Sequence, residues 1–221
     1  MNRVLMVVAA MCFVDSVRAQ DGLSVVGSDY FPIAVGSRWE YTAGVGKFSS
    51  EVIKHEQIGG VMCACIESKI EGLLPAVSRL LGGESPPEPV QEYVHVSESG
   101  AYRHQNAGKD FNPPLPFLKF LNATKKEDVW KVESRHGDDS FRGTYSQSVD
   151  SITIRGKKYE DVLVVKSDIV DGSFRVKETS WFARGVGLIK KSVETELDTE
   201  FGTTSKTELL KFSPGPDPNQ K

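Results

Sequence analysis

Apolar and polar residues alternate with a period of two through most of this chain, and Gly, Asp, Asn and Ser cut the alternation at short intervals. Trp39 and Tyr41 alternate with Arg38 and Glu40. Val90, Val94 and Val96 alternate with Gln91, Tyr93 and His95, and Trp130 and Val132 with Lys131 and Glu133. Side chains two apart share one face of a strand, so each run predicts a half-buried strand of an antiparallel sheet. Runs over 141–147, 151–155, 159–170, 174–183, 188–197 and 203–212 continue the series. Gly59-Gly60, Ser99-Gly100, Gly137-Asp138 and Asp171-Gly172 supply hairpin turns, since Gly, Asn and Asp tolerate positive φ. The expectation is all-β: about a dozen strands in meander order, forming a large curved antiparallel sheet or half-barrel.

Two segments break the pattern. Ile70, Leu73, Leu74, Val77, Leu80 and Leu81 fall at helical spacing, with Pro75 suited to a first turn and Gly82-Gly83 to an end. One short helix over 70–81, packed against one face of the sheet, is predicted. The second segment, 111–121, holds Pro113, Pro114 and Pro116, which exclude it from a central strand. It reads as an apolar loop. Leu73, Leu74, Val77, Leu80 and Leu81 would then form a lid, with Phe117, Leu118, Phe120 and Leu121 as the opposing rim of a site for an apolar ligand. Residues 213–221 are proline-rich and polar, the composition of a disordered tail.

The first residues carry an address. Asn2 and Arg3 precede an uncharged apolar run from Val4 to Val14, and Val17-Arg18-Ala19 supplies a cleavage site. Eleven apolar residues are too few to cross a bilayer, so 1–19 reads as a secretory signal peptide and 20–212 as one exported domain. No later run is longer, so no transmembrane segment is expected. Periplasmic or extracellular localisation follows, with release favoured over lipid anchoring at Cys12.

Cleavage would leave 25 basic and 29 acidic residues, a net charge of −4 with no basic stripe, which disfavours nucleic acid. Cys63 and Cys65 would remain, too few for a disulfide-built scaffold. With Gly59-Gly60 as a two-residue turn, Cys63 faces Glu56 and Cys65 faces Lys54, while His55 lies beside Ala64 on the other face. That register suits two small buried residues, with a strained disulfide or a metal or redox site as the alternatives. Pairing 95 with 102 and 93 with 104 gathers Tyr93, His95, Tyr102 and His104 on one face, which cross-strand aromatic packing explains. His136, beside Gly137-Asp138-Asp139, reads as a solvated turn. Serine-nucleophile, zincin, Walker and dinucleotide motifs are missing from the sequence. The expectation is therefore no enzyme, no catalytic residue, no metal and no cofactor.

Two motifs bracket the domain: 30–41 (YFPIAVGSRWEY) and 181–190 (WFARGVGLIK), with 156–162 (GKKYEDV) between them. The set resembles a group of uncharacterised exported bacterial proteins that open on YFPL-x-VG-x-x-W-x-Y and close on W-Y-A-x-GVGLV-K, a domain of unknown function. A looser likeness of fold is to periplasmic lipoprotein carriers, whose curved sheet wraps a helical lid over an apolar cavity. The resemblance implies an exported envelope protein. Three functions stay open: a binding or carrier module for an apolar small molecule or lipid, a structural module that meets another envelope protein, and an enzyme of unrecognised type.

Overall fold

The computed structural model describes residues 28–43, 46–71, 88–120, 127–171, 174–196 and 203–216. Among them, strands follow one another round a closed barrel: β1 (Arg38–Ala43), β2 (Gly46–Ile58), β3 (Val61–Glu71), β4 (Val90–Ser97), β5 (Gly100–Asn106) and β6 (Lys109–Lys119) come first. β7 (Glu127–His136), β8 (Asp139–Ile154), β9 (Lys157–Asp171), β10 (Phe174–Ala183), β11 (Gly187–Glu196) and β12 (Thr203–Ser213) complete it. The meander order matches the period-two pattern. The sheet does not stop at a half-barrel, because β12 pairs along β1 from Arg38–Ser213 to Ala43–Thr207. Closure removes the unpaired N–H and C=O rows that two open edges would expose.

Local chemistry sets the hairpins. Gly59 and Gly60 both take positive φ, 60° and 85°, the pair of values a type I′ turn needs between twisted strands. That turn fixes the β2–β3 register at Glu56–Cys63, Lys54–Cys65 and His55–Ala64, as the spacing predicts. Gly187 has another reason to be glycine: a Cβ there would come within 3.3 Å of Pro32 and the Trp39 indole.

Following the register round the barrel places Trp39, Tyr41, Val52, Ile66, Val94 and Phe182 on the inner face, and they belong to one buried cluster. Cys63, Cys65 and Tyr93 form a smaller cluster on the outer face. Trp181 is half-buried, packed at the edge of the large cluster with Lys190 Nζ 5.3 Å from its ring centroid.

Three expectations change. The predicted helix over 70–81 loses its start: Ile70 and Glu71 are the last residues of β3, opposite Phe48 and Lys47. Ile66, Ser68 and Ile70 continue the period of two, and pairing with β2 outweighs the helical spacing. The remainder of that stretch lies outside the described residues, as do residues 1–19 and 217–221. Order reaches beyond 212, since Ser213 belongs to β12 and Gly215 N donates to Ser37 Oγ at 3.1 Å. The proline-rich segment is a strand, β6, but its prolines leave a mark. β6 pairs with β7 only at Phe111–His136 and Asn112–Arg135 among the described residues. Beyond those pairs Pro113, Pro114 and Pro116 bring no N–H to the ladder.

Candidate functional site

One end of the barrel is floored by the chain that leads into β1. Phe31 packs against Phe117 and Phe182, with ring centroids 5.5 and 6.2 Å apart. Around it, Tyr30 Oη donates to Asp161 O at 2.8 Å, Gly185 N to Asp29 O at 2.6 Å, and Gly36 N to Val52 O at 2.8 Å. Trp39 Nε1 donates to Val186 O at 2.5 Å. The segment thus touches β2, β6, β9 and the β10–β11 turn, spanning the mouth, and Phe31 makes the floor apolar.

Above the floor the inner wall turns polar. Arg103 Nε donates to Glu92 Oε2 at 2.8 Å, and Arg103 lies 4.9 Å above the Phe117 ring. On the opposite wall Glu178 accepts from Lys191 Nζ and from Ser180 Oγ, both at 2.7 Å. Each of these charges sits at an inward register position: Glu92 opposite Ile66, Arg103 opposite Val94 and Leu115, Glu178 opposite Ser167 and Val193. They still keep 24 %, 25 %, 26 % and 32 % of side-chain surface for Glu92, Arg103, Glu178 and Lys191. Inward direction and retained accessibility together place them beside solvent-accessible space within the barrel, its lumen. The twelve strands of the described residues make this possible, since about eight already close round a filled interior.

The belt is electrostatically coupled. Burial works against the Arg103 charge, but Glu92, then Glu178 and Tyr145 outweigh it and hold the guanidinium above its ordinary value. Burial would raise the Glu178 carboxyl, yet Lys191, Ser180 and Arg103 hold it below the usual carboxylate range. Burial, with Glu92 nearby, pushes the Tyr41 phenol far up, and its hydroxyl donates to Leu188 O at 3.0 Å. Tyr145, stacked on Trp130 at 5.4 Å, is raised by burial as well, with Arg103 opposing and Glu178 adding. Both phenols are protonated at neutral pH. The belt therefore holds two carboxylates, two cations and two neutral hydroxyls.

The wall itself has an irregular stretch between β6 and β7. There side chains replace the ladder: Ser134 Oγ donates to Pro113 O at 2.7 Å and Trp130 Nε1 to Pro116 O at 2.9 Å. Gln147 reaches across from β8, accepting from Lys119 N at 3.1 Å and donating to Lys119 O at 2.7 Å. A pocket of about 270 Å³ lies along this seam, bordered by inward Leu115 and Val132 and by outward Pro114, Lys131 and Glu133.

Of the residues the sequence nominates, Phe117 and Leu118 are 9 % and 0 % exposed and belong to the wall and its core, with Phe120 half-buried beside them. Leu121, Leu73, Leu74, Val77, Leu80 and Leu81 lie outside the described residues. Cys63 and Cys65 are free and buried, and burial raises both thiols above their ordinary value. His95 faces Tyr102 as predicted, but a bulge sets Tyr93 opposite Gln105 instead of His104. His136 is no solvated turn: it ends β7, stacks on Phe111 at 4.3 Å and meets Asp171 Oδ2 through Nδ1 at 2.9 Å. Among the described residues no three His, Cys, Asp or Glu are placed to hold a metal ion. Sequence reasoning passed over the belt, although a signal exists. Glu92 shares its parity with Val94 and Val96, and Glu178 with Val176 and Phe182, so both are charges written at core positions.

No protein-family model matches this chain, and none of the curated proteins matches it. Two solved structures align with it. A candidate lipoprotein from Parabacteroides distasonis gives a TM-score of 0.39 at 12 % identity, over 83 % of this chain and 98 % of its own. A candidate exported protein with YmcC-like fold from Bacteroides fragilis gives 0.38 at 8 % identity, over 83 % and 98 %. Likeness at that level carries no functional argument.

Proposed function

We propose that this protein is an exported envelope module that binds an apolar or amphiphilic small molecule inside its barrel, and that it binds rather than catalyses. The supporting observation is the lumen: a floor closed by Phe31, and above it an inward belt whose charges remain accessible. Ion pairs buried for stability alone are poor value, because desolvation offsets most of their attraction. Lining a cavity gives them a use. The leader-like pattern of residues 1–19 supports the exported setting.

An uncharged apolar dye, N-phenyl-1-naphthylamine, tests this by fluorescence. The expectation is saturable binding of one dye per chain at micromolar concentration, lost when Thr207→Trp fills the lumen from β12. Absence of dye binding, together with native mass spectra that show no retained small molecule, would overturn the proposal.

A second reading, an interaction module, is favoured by one feature. Among the described residues β7 forms no ladder with β6 between Val129 and Ser134, and that stretch is where an extended peptide would add to the sheet.

A further inference from the structure

We propose that the molecule held in the lumen has an uncharged head group that accepts hydrogen bonds, of the ester or carbonyl kind. This rests on the lumen-binding reading above and adds the chemistry of the head.

Charge balance gives the first argument. Glu92 and Arg103 neutralise each other, as do Glu178 and Lys191, and both pairs are within hydrogen-bond distance. An ionised head entering this belt would leave one uncompensated charge inside the barrel, and an unpaired buried charge is costly. A neutral head adds none.

The donor and acceptor inventory gives the second. Both Glu178 oxygens are occupied, by Lys191 and by Ser180. Arg103 commits only Nε, to Glu92, so among the described residues its two terminal nitrogens have no hydrogen-bond partner. The Tyr145 hydroxyl, on a residue only 4 % exposed, has none among them either. Neither residue's atoms are among the buried orphans of the described residues, so these donors still meet water, and a ligand acceptor would take that water's place. The open positions are mainly donors, so the complement is an acceptor. Phe117 beneath the Arg103 guanidinium carries the site down to the apolar floor. An acyl chain would lie there below its carbonyl.

Displacement of the bound dye by three dodecyl probes tests the inference: methyl laurate, laurate at pH 8 and dodecylammonium. Wild type is expected to prefer methyl laurate over both ions by about tenfold or more. Any apolar cavity favours an uncharged probe, so the variants decide. Tyr145→Phe should weaken methyl laurate about three- to tenfold without changing dye affinity. Glu92→Gln removes one negative charge from the belt and should shift preference toward laurate by about tenfold. Glu178→Gln makes the same change of charge on the other wall, and serves if the first variant does not fold. Wild type preferring laurate, or Tyr145→Phe leaving methyl laurate unaffected, overturns the head-group inference while lumen binding stands. If wild type binds neither dye nor any dodecyl probe, the lumen reading itself is lost.

Discussion

The wall between β8 and β9 and the wall between β6 and β7 are both antiparallel extended chain, yet they are held in opposite ways. β8 and β9 pair from Phe141–Asp171 to Ile154–Lys157, broken by a single bulge between Asp150 and Ile152. Among the described residues β6 and β7 share two backbone pairs, and farther along side chains bridge them. Ser134 and Trp130 donate to β6 carbonyls, Lys119 Nζ meets Asp128 Oδ2 at 3.0 Å, and Gln147 of β8 clamps the Lys119 backbone. The contrast originates in three prolines. Once Pro113, Pro114 and Pro116 withdraw their N–H groups, the carbonyls of β6 accept from indole, hydroxyl and amide donors instead. A ladder spreads its strength over many equivalent bonds. A stitched seam concentrates it in a few side chains, and each of those is open to mutation.

The largest effect should come from breaking the continuous wall. Lys166→Pro in β9 removes an N–H from a strand paired on both sides, with Ser146 and Thr179 opposite. It should cost about 3 kcal/mol or more, or prevent folding, as urea unfolding would show. Next comes Gln147→Ala, which takes the partners from the half-buried backbone N–H and C=O of Lys119. About 2–3 kcal/mol is expected in the same assay, and a loss below about 0.5 kcal/mol would mean that the clamp does not hold the seam. Trp130→Phe removes only the indole donor to Pro116 O and should cost about 1 kcal/mol. Hydrogen exchange sharpens the contrast, with β7 amides turned toward β6 exchanging well before those of β9. The smallest effect concerns the belt on the continuous side. The Glu178 carboxyl is held below its ordinary value in the fold, so the stability it lends is complete above that value. It is lost as pH falls through the folded value. Glu178→Gln should therefore flatten the acid limb of a stability–pH profile below the ordinary carboxylate value of 4.5 and leave the profile above pH 6 unchanged.

Much of the wall was legible in the sequence, because alternation and turn chemistry are local. Gly59-Gly60 alone predicts the facing of Cys63, Cys65 and His55. Closure was not legible, since nothing near Arg38 announces that Ser213 lies opposite. Ile70 misled because it satisfies a period of two and a helical period equally well. The prolines of β6 misled as well: they argued against a central strand and for a loop, yet the segment is a strand paired with β5 and, at two positions among the described residues, with β7. The structure absorbs the lost N–H groups with Trp130 and Gln147, which stand 14 and 28 residues from their partners. The belt was hidden for a related reason: Arg103 and Glu178 sit on opposite walls, so only the closed barrel makes them neighbours.

The β1–β12 closure also constrains the order of events in folding. Thr42 bonds to Glu208 across 166 residues, and Gly215 to Ser37 across 178. A chain delivered N-terminus first would hold β1 as a bare edge until nearly all the rest had arrived. Hairpins such as β2–β3 and β8–β9 would form early at little entropic cost, whereas sealing the ring awaits the contacts with the longest loops. The last step is the slowest, and a chain stopped short of β12 would present two adhesive edges to its neighbours.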